Sequence, residues 1–129
     1  MIAIIVASHG TFSEGITQSS AMIFGNQEKV VAVGVTQDDD PDQLRQRYEQ
    51  ILATFAVDDE VLFLVDVWGG PAFNVASQLV AEHSVRMGLL TGVNLPMLVE
   101  AYTVRRQPLA DVIAHLEAIA KAGIKHLEV

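Results

Sequence analysis

The sequence predicts an α/β fold, a doubly wound and mostly parallel sheet in the order 2-1-3-4 with a C-terminal antiparallel edge strand. Three observations predict it. Short β-rich runs alternate along the whole chain with stretches of helical periodicity. The strand runs are continuously apolar instead of alternating, as when helices cover both faces of a parallel sheet. Right-handed crossovers then restrict the order of the first four strands, and 2-1-3-4 is a common doubly wound solution.

Ile2–Ala7 is the first such run, ended by Ser8-His9-Gly10-Thr11. Phe12, Ile16, Ser19/Ser20 and Ile23 then recur at helical spacing, with Gly25 as a C-terminal stop. Val30–Val35 is the second strand. Asp40 is placed to cap the second helix and Pro41 to open it, because proline lacks the N–H that a first helical turn leaves unused. Leu44, Tyr48, Ile51, Leu52 and Phe55 form the apolar stripe of that helix, and Asp58-Asp59 breaks it.

Val61–Val65 is the third strand and runs into Asp66. After Trp68-Gly69-Gly70 a helix opens near Pro71 and buries Phe73, Ala76, Leu79 and Val80. Met87–Leu90 is a short fourth strand. Asn94 precedes Leu95-Pro96, which opens a helix to about Arg105, and Pro108 opens the last helix, ended by Gly123. Ile124–Val129 reads as a fifth strand. Lys125, His126 and Glu128 make it polar enough for a sheet edge, or for crossing to a partner subunit.

Residues 1–129 fit one domain, and half of them are apolar, enough for a single core. Sixteen acidic against eight basic residues give a net charge of −8, which repels nucleic acid at long range. No cysteine is present, so thiolate nucleophiles, disulfides and zinc–sulfur sites are excluded, in keeping with a cytoplasmic protein. The longest stretch free of charged side chains, Val67–Ala81, is too short to span a bilayer, and the N-terminus lacks a basic signal-peptide region. The histidines are too widely spaced to suggest a metal site, and no cofactor is expected.

In a doubly wound sheet the site lies beyond the carboxyl ends of the strands where the order reverses, here between strands one and three. His9 follows strand one and Asp66 ends strand three, so the two are expected at one mouth. A carboxylate that accepts a hydrogen bond from one imidazole nitrogen fixes the tautomer, and the other nitrogen keeps its lone pair for attack. Such a nucleophile accepts a phosphoryl group without a metal. The N-terminus of helix one and the Gly69-Gly70 turn offer backbone N–H groups for the phosphoryl oxygens. Gly10, Thr11 and Ser13 are expected to line the phosphate site, the last two with hydroxyls, and Trp68 can exclude water or meet a protein partner.

Three stretches resemble one known family in the same order: IAIIVASHG over Ile2–Gly10, VLFLVDVWGG over Val61–Gly70 followed after two residues by Phe73-Asn74, and GVNLPMLVE over Gly92–Glu100. They resemble the mannose-family (mannose/fructose/sorbose) enzyme IIA components of the bacterial phosphoenolpyruvate-dependent sugar phosphotransferase system. The resemblance implies a cytoplasmic phosphocarrier in which His9 becomes the tele-phosphohistidine, accepting the group from phospho-HPr and donating it to enzyme IIB. It implies that Asp66 orients His9. It also implies a homodimer with the segment Ile124–Val129 exchanged between subunits. With the chain ending at Val129, a separate IIB protein is the expected acceptor. Pro71-Ala72 stands where family members often carry Ser-Pro, so a serine hydroxyl that might hold phosphate is missing. The rival readings are the phosphohistidine subunit of a dihydroxyacetone kinase system, a receiver-like regulatory domain, and a flavodoxin-like cofactor binder.

Overall fold

The computed structural model describes residues 1–129. Its elements run β1 (Ala3–His9), α1 (Phe12–Phe24), β2 (Val30–Val35), α2 (Pro41–Leu52), β3 (Val61–Val65), α3 (Gly70–Glu82), β4 (Met87–Thr91), α4 (Leu95–Val104) and α5 (Leu109–Ala122). The four strands are all parallel, in the order β2-β1-β3-β4. No helix is long and apolar enough to cross a membrane.

The sheet is covered on both faces, which explains its unbroken apolar runs. Ile4 and Val6 of β1, with Leu62 and Leu64 of β3, pack against α1, α4 and α5 through Ile16, Leu98, Ala101, Val112 and Leu116. The intervening Ala3, Ile5, Ala7, Val61, Phe63 and Val65 pack against α2 and α3 through Leu44, Tyr48, Val75, Ala76 and Leu79. Alternate residues of each strand thus serve different layers. Asp40 caps α2 by accepting from the Gln43 N–H at 2.8 Å, and Asn94 caps α4 by accepting from Met97 N–H at 2.9 Å. At the N-terminal end of the sheet the buried Arg105 guanidinium donates to the Ile2 and Lys29 carbonyls, joining α4 to the start of β1 and β2.

Several boundaries differ from the sequence reading: α2 ends at Leu52, so Phe55, expected on its stripe, lies in the turn beyond it. β1 continues through Ser8 and His9, because His9 stays in register with Val35 and Gly10 N–H bonds the Val35 carbonyl at 2.8 Å. The expected fifth strand is absent from the fold of the single chain. Residues 124–129 pair with no strand and are exposed. Gly123 ends α5 in the right-handed region at φ −71°, and the chain beyond it makes no strand contact.

Candidate functional site

The register of β1 and β3 sets the site. Ala7 pairs with Val65, so His9, ending β1, and Asp66, directly after β3, emerge at the same mouth. The crossovers from β1 and β3 leave in opposite directions there. α1 starts on one face and α3 on the other, so two helix N-termini flank the opening.

The Asp66 carboxylate holds His9 by two bonds to one oxygen. Asp66 Oδ2 accepts from the His9 backbone N–H at 2.9 Å and lies 2.9 Å from His9 Nδ1. Asp66 Oδ1 accepts from the Val67 N–H at 2.9 Å. An ionised carboxylate only accepts, so Nδ1 carries the ring proton and Nε2 keeps its lone pair. Burial pushes the Asp66 carboxyl up, but the His9 backbone N–H, the His9 ring and the Val67 N–H together outweigh it and hold the group below the usual carboxylate range. The Asp66 side chain is 16% exposed and that of His9 59%, so the orienting group is sheltered while the oriented one is open.

His9 Nε2 faces the first turn of α3. A Cβ added to Gly70 would stand 3.4 Å from both Nε2 and Cε1 of His9, so glycine at 70 leaves space beside that nitrogen. Gly69 and Gly70 also adopt φ of +91° and +82°, a region that L side chains rarely occupy. The backbone N–H groups of Trp68, Gly69, Gly70 and Ala72 bond to no other group of the chain, and Pro71 has none. Unpaired N–H groups at the positive end of a helix dipole favour an anion.

The remaining expected site residues are placed unevenly. Trp68 is 80% exposed, its ring tilted against that of Phe73 with centroids 4.6 Å apart. Gly10 turns the chain out of β1 at φ +58°, and Thr11 is exposed at the start of α1. Ser13 is wholly buried, and its hydroxyl has no hydrogen-bond partner. Sequence reasoning missed Ser8. Its buried Oγ accepts from Ser13 N–H at 2.7 Å and reaches the His9 carbonyl at 3.2 Å. Ser8 therefore satisfies the α1 N-terminus from the preceding strand, which Thr11 does not do. The other histidines lie elsewhere. His83 caps the end of α3, His115 of α5 bonds Glu100 of α4 at 3.0 Å, and His126 is in the exposed tail.

Comparison with known proteins bears on this arrangement directly. The family model described as "PTS system fructose IIA component" matches residues 3–119. The fructose-specific EIIA component of Bacillus subtilis (strain 168) is 36% identical over 133 residues, covering 99% of this chain and 90% of that protein. The mannose-specific EIIAB component of Escherichia coli (strain K12) is 33% identical over 129 residues. That match covers 98% of this chain, which spans only 40% of that longer protein. Among solved structures, a phosphotransferase system component EIIA from Streptococcus agalactiae superposes with a TM-score of 0.89 at 32% identity, over 98% of this chain and 97% of the other. The dihydroxyacetone kinase, receiver and flavodoxin-like readings gain no support from these relatives. This chain belongs to the mannose-type EIIA family, the phosphotransferase proteins that serve sugar phosphotransferase systems as phosphohistidine carriers.

Proposed function

We propose that this chain works in the cytoplasm, that His9 is the phosphorylated residue, that phospho-HPr supplies the group, and that enzyme IIB removes it for coupled sugar uptake. The observation that carries this reading is the single-sided hold on the imidazole: Nδ1 on Asp66 at 2.9 Å, Nε2 free beside the α3 N-terminus. The Nε2 lone pair forms the new bond to phosphorus as the bond from phosphorus to the donor breaks. The ring becomes cationic during transfer, and the Asp66 carboxylate beside Nδ1–H offsets that charge. Amides of Gly69, Gly70 and Ala72 receive the phosphoryl oxygens. Gly10 and Thr11 border the opening, and Trp68 offers an exposed apolar face to HPr or IIB. The buried Ser13 contributes through its backbone bond to Ser8. Mass spectrometry after incubation with phosphoenolpyruvate, enzyme I and HPr tests the reading. One phosphoryl group on His9 is expected, acid-labile and stable in base; a modified residue elsewhere would refute it.

Gly70→Ala provides a geometric test of the approach to Nε2. A methyl 3.4 Å from that nitrogen crowds the incoming group, and alanine at φ +82° costs about 1–3 kcal/mol of backbone strain. The variant is expected to fold and to accept phosphate from phospho-HPr at least about tenfold more slowly, a barrier change of about 1.4 kcal/mol. An unaltered rate would mean that phosphorus reaches the ring from another side.

We also propose that the chain is a homodimer in which residues 124–129 pair antiparallel with β4 of the partner. The outer edge of β4 is unpaired. Beside it, a groove of about 360 Å³ lies between β4 and α5, lined by Leu89, Thr91, Asn94, Lys121 and Ile124 among others. Ile124, Leu127 and Val129 are exposed apolar residues, and pairing removes both liabilities. Deleting 124–129 is expected to weaken the dimer markedly in sedimentation equilibrium; unchanged self-association would rule out the exchange.

A further inference from the structure

The buried phenol of Tyr48 has no part in the transfer described above, yet it reaches the helix that flanks His9. Tyr48 belongs to α2, is fully buried, and packs its ring edge-on against Phe63 of β3 with centroids 5.3 Å apart. Its hydroxyl donates to the carbonyl of Ala72 at 3.1 Å. Ala72 lies in the first turn of α3, two residues beyond Gly70.

We infer that Tyr48 is a positioning residue for phosphoryl transfer, aiming the first-turn amides of α3 at the group on His9 through its hydrogen bond to the Ala72 carbonyl. The inference rests on the assignment of His9 as the phosphoryl acceptor. The turn that needs aiming is unusually free. Gly69 and Gly70 precede it at positive φ, and neither has a Cβ to pack. Pro71 contributes no N–H, and no side chain caps the helix. The phenol fixes the plane of the Ala72–Phe73 peptide, and so holds Ala72, whose own N–H lies one peptide closer to Gly70 and His9 Nε2. A carbonyl has two lone pairs, so the phenol bond and a helical bond coexist. Burial keeps the phenol protonated well beyond the physiological range, so it remains a donor throughout.

The test compares Tyr48→Phe with Phe63→Leu. Tyr48→Phe removes one oxygen and keeps the ring, whereas Phe63→Leu loosens the same ring from the other side and leaves the hydroxyl. Both are assayed by single-turnover transfer from phospho-HPr at a temperature where each is folded by circular dichroism. Tyr48→Phe is expected to lower the saturating transfer rate about fivefold, the scale of one ordinary hydrogen bond, with little change in the HPr concentration at half-saturation. Phe63→Leu is expected to melt earlier and to transfer at nearly the wild-type rate. Wild-type transfer by Tyr48→Phe would overturn the inference. Equal slowing of the two variants would also overturn it, since loss of packing alone would then explain the effect. Labelling of the wild type at a residue other than His9 would instead refute the assignment on which it rests.

Discussion

His9→Ala is expected to abolish labelling by phospho-HPr, to below detection, while leaving the melting temperature within a few degrees of the wild type. In the proposed transfer the imidazole is the nucleophile itself, so the loss is complete, and no other histidine lies at this mouth. His83 sits at the far end of α3, His115 is paired to Glu100, and His126 is in the tail. The fold survives because His9 contributes to it through its backbone. Its N–H still bonds Asp66 Oδ2, Val67 N–H still bonds Oδ1, and the lost ring was 59% exposed. The carboxylate therefore keeps two partners and is not stranded. Intact-mass measurement after the phosphorylation reaction, paired with a thermal melt, checks both halves. A labelled variant would place the acceptor elsewhere, and an unlabelled but unfolded one would show that the ring is structural.

The sheet order and the His9–Asp66 meeting were legible in the residues because both depend on local pattern plus topology. Continuous apolar runs require two covered faces, right-handed crossovers place strands one and three side by side, and the residue ending each then falls at one mouth. Contacts set by three-dimensional packing were not legible. Tyr48 reads as one more member of the apolar stripe Leu44, Tyr48, Ile51, Leu52 and Phe55, and nothing local shows that its hydroxyl meets a carbonyl twenty-four residues later. Thr11 carries the residue type expected of an N-cap, but the partner of the α1 start is Ser8, because β1 runs two residues further and brings Ser8 Oγ under the helix. Ser13 reads as a hydroxyl at the site mouth and is buried, since α1 turns that face toward the sheet. Gly123 signals a stop and does end α5, but what the following segment pairs with depends on surfaces beyond the helix, and residues 124–129 pair with no strand of this chain.

Asp66→Ala is expected to slow phosphoryl transfer on the order of a hundredfold or more, the scale seen when an imidazole loses its orienting or acid–base partner. Two effects combine. The ring loses the bond that fixes Nδ1–H, so it rotates and exchanges tautomers, and Nε2 carries a proton for part of the time. The cationic ring formed during transfer also loses its counter-charge. Asp66→Asn separates these effects imperfectly, because asparagine offers one acceptor and one donor where three N–H groups converge. One donor must then face another, and that variant is expected to lose stability as well as rate. The pH dependence of this loss follows from the lowered Asp66 carboxyl. A carboxyl whose folded value lies below its unfolded value of about 4 stabilises the protein fully above that pH, and the contribution fades as pH falls through the folded value. The stability gap between wild type and Asp66→Asn in urea unfolding is therefore expected to be constant near neutrality and to shrink in acid. A gap that persists undiminished at the lowest pH where both fold would show that the charge on Asp66 is not what holds His9. A transfer rate unchanged in Asp66→Ala would reduce the carboxylate to a structural role and leave the tautomer of His9 set by solvent.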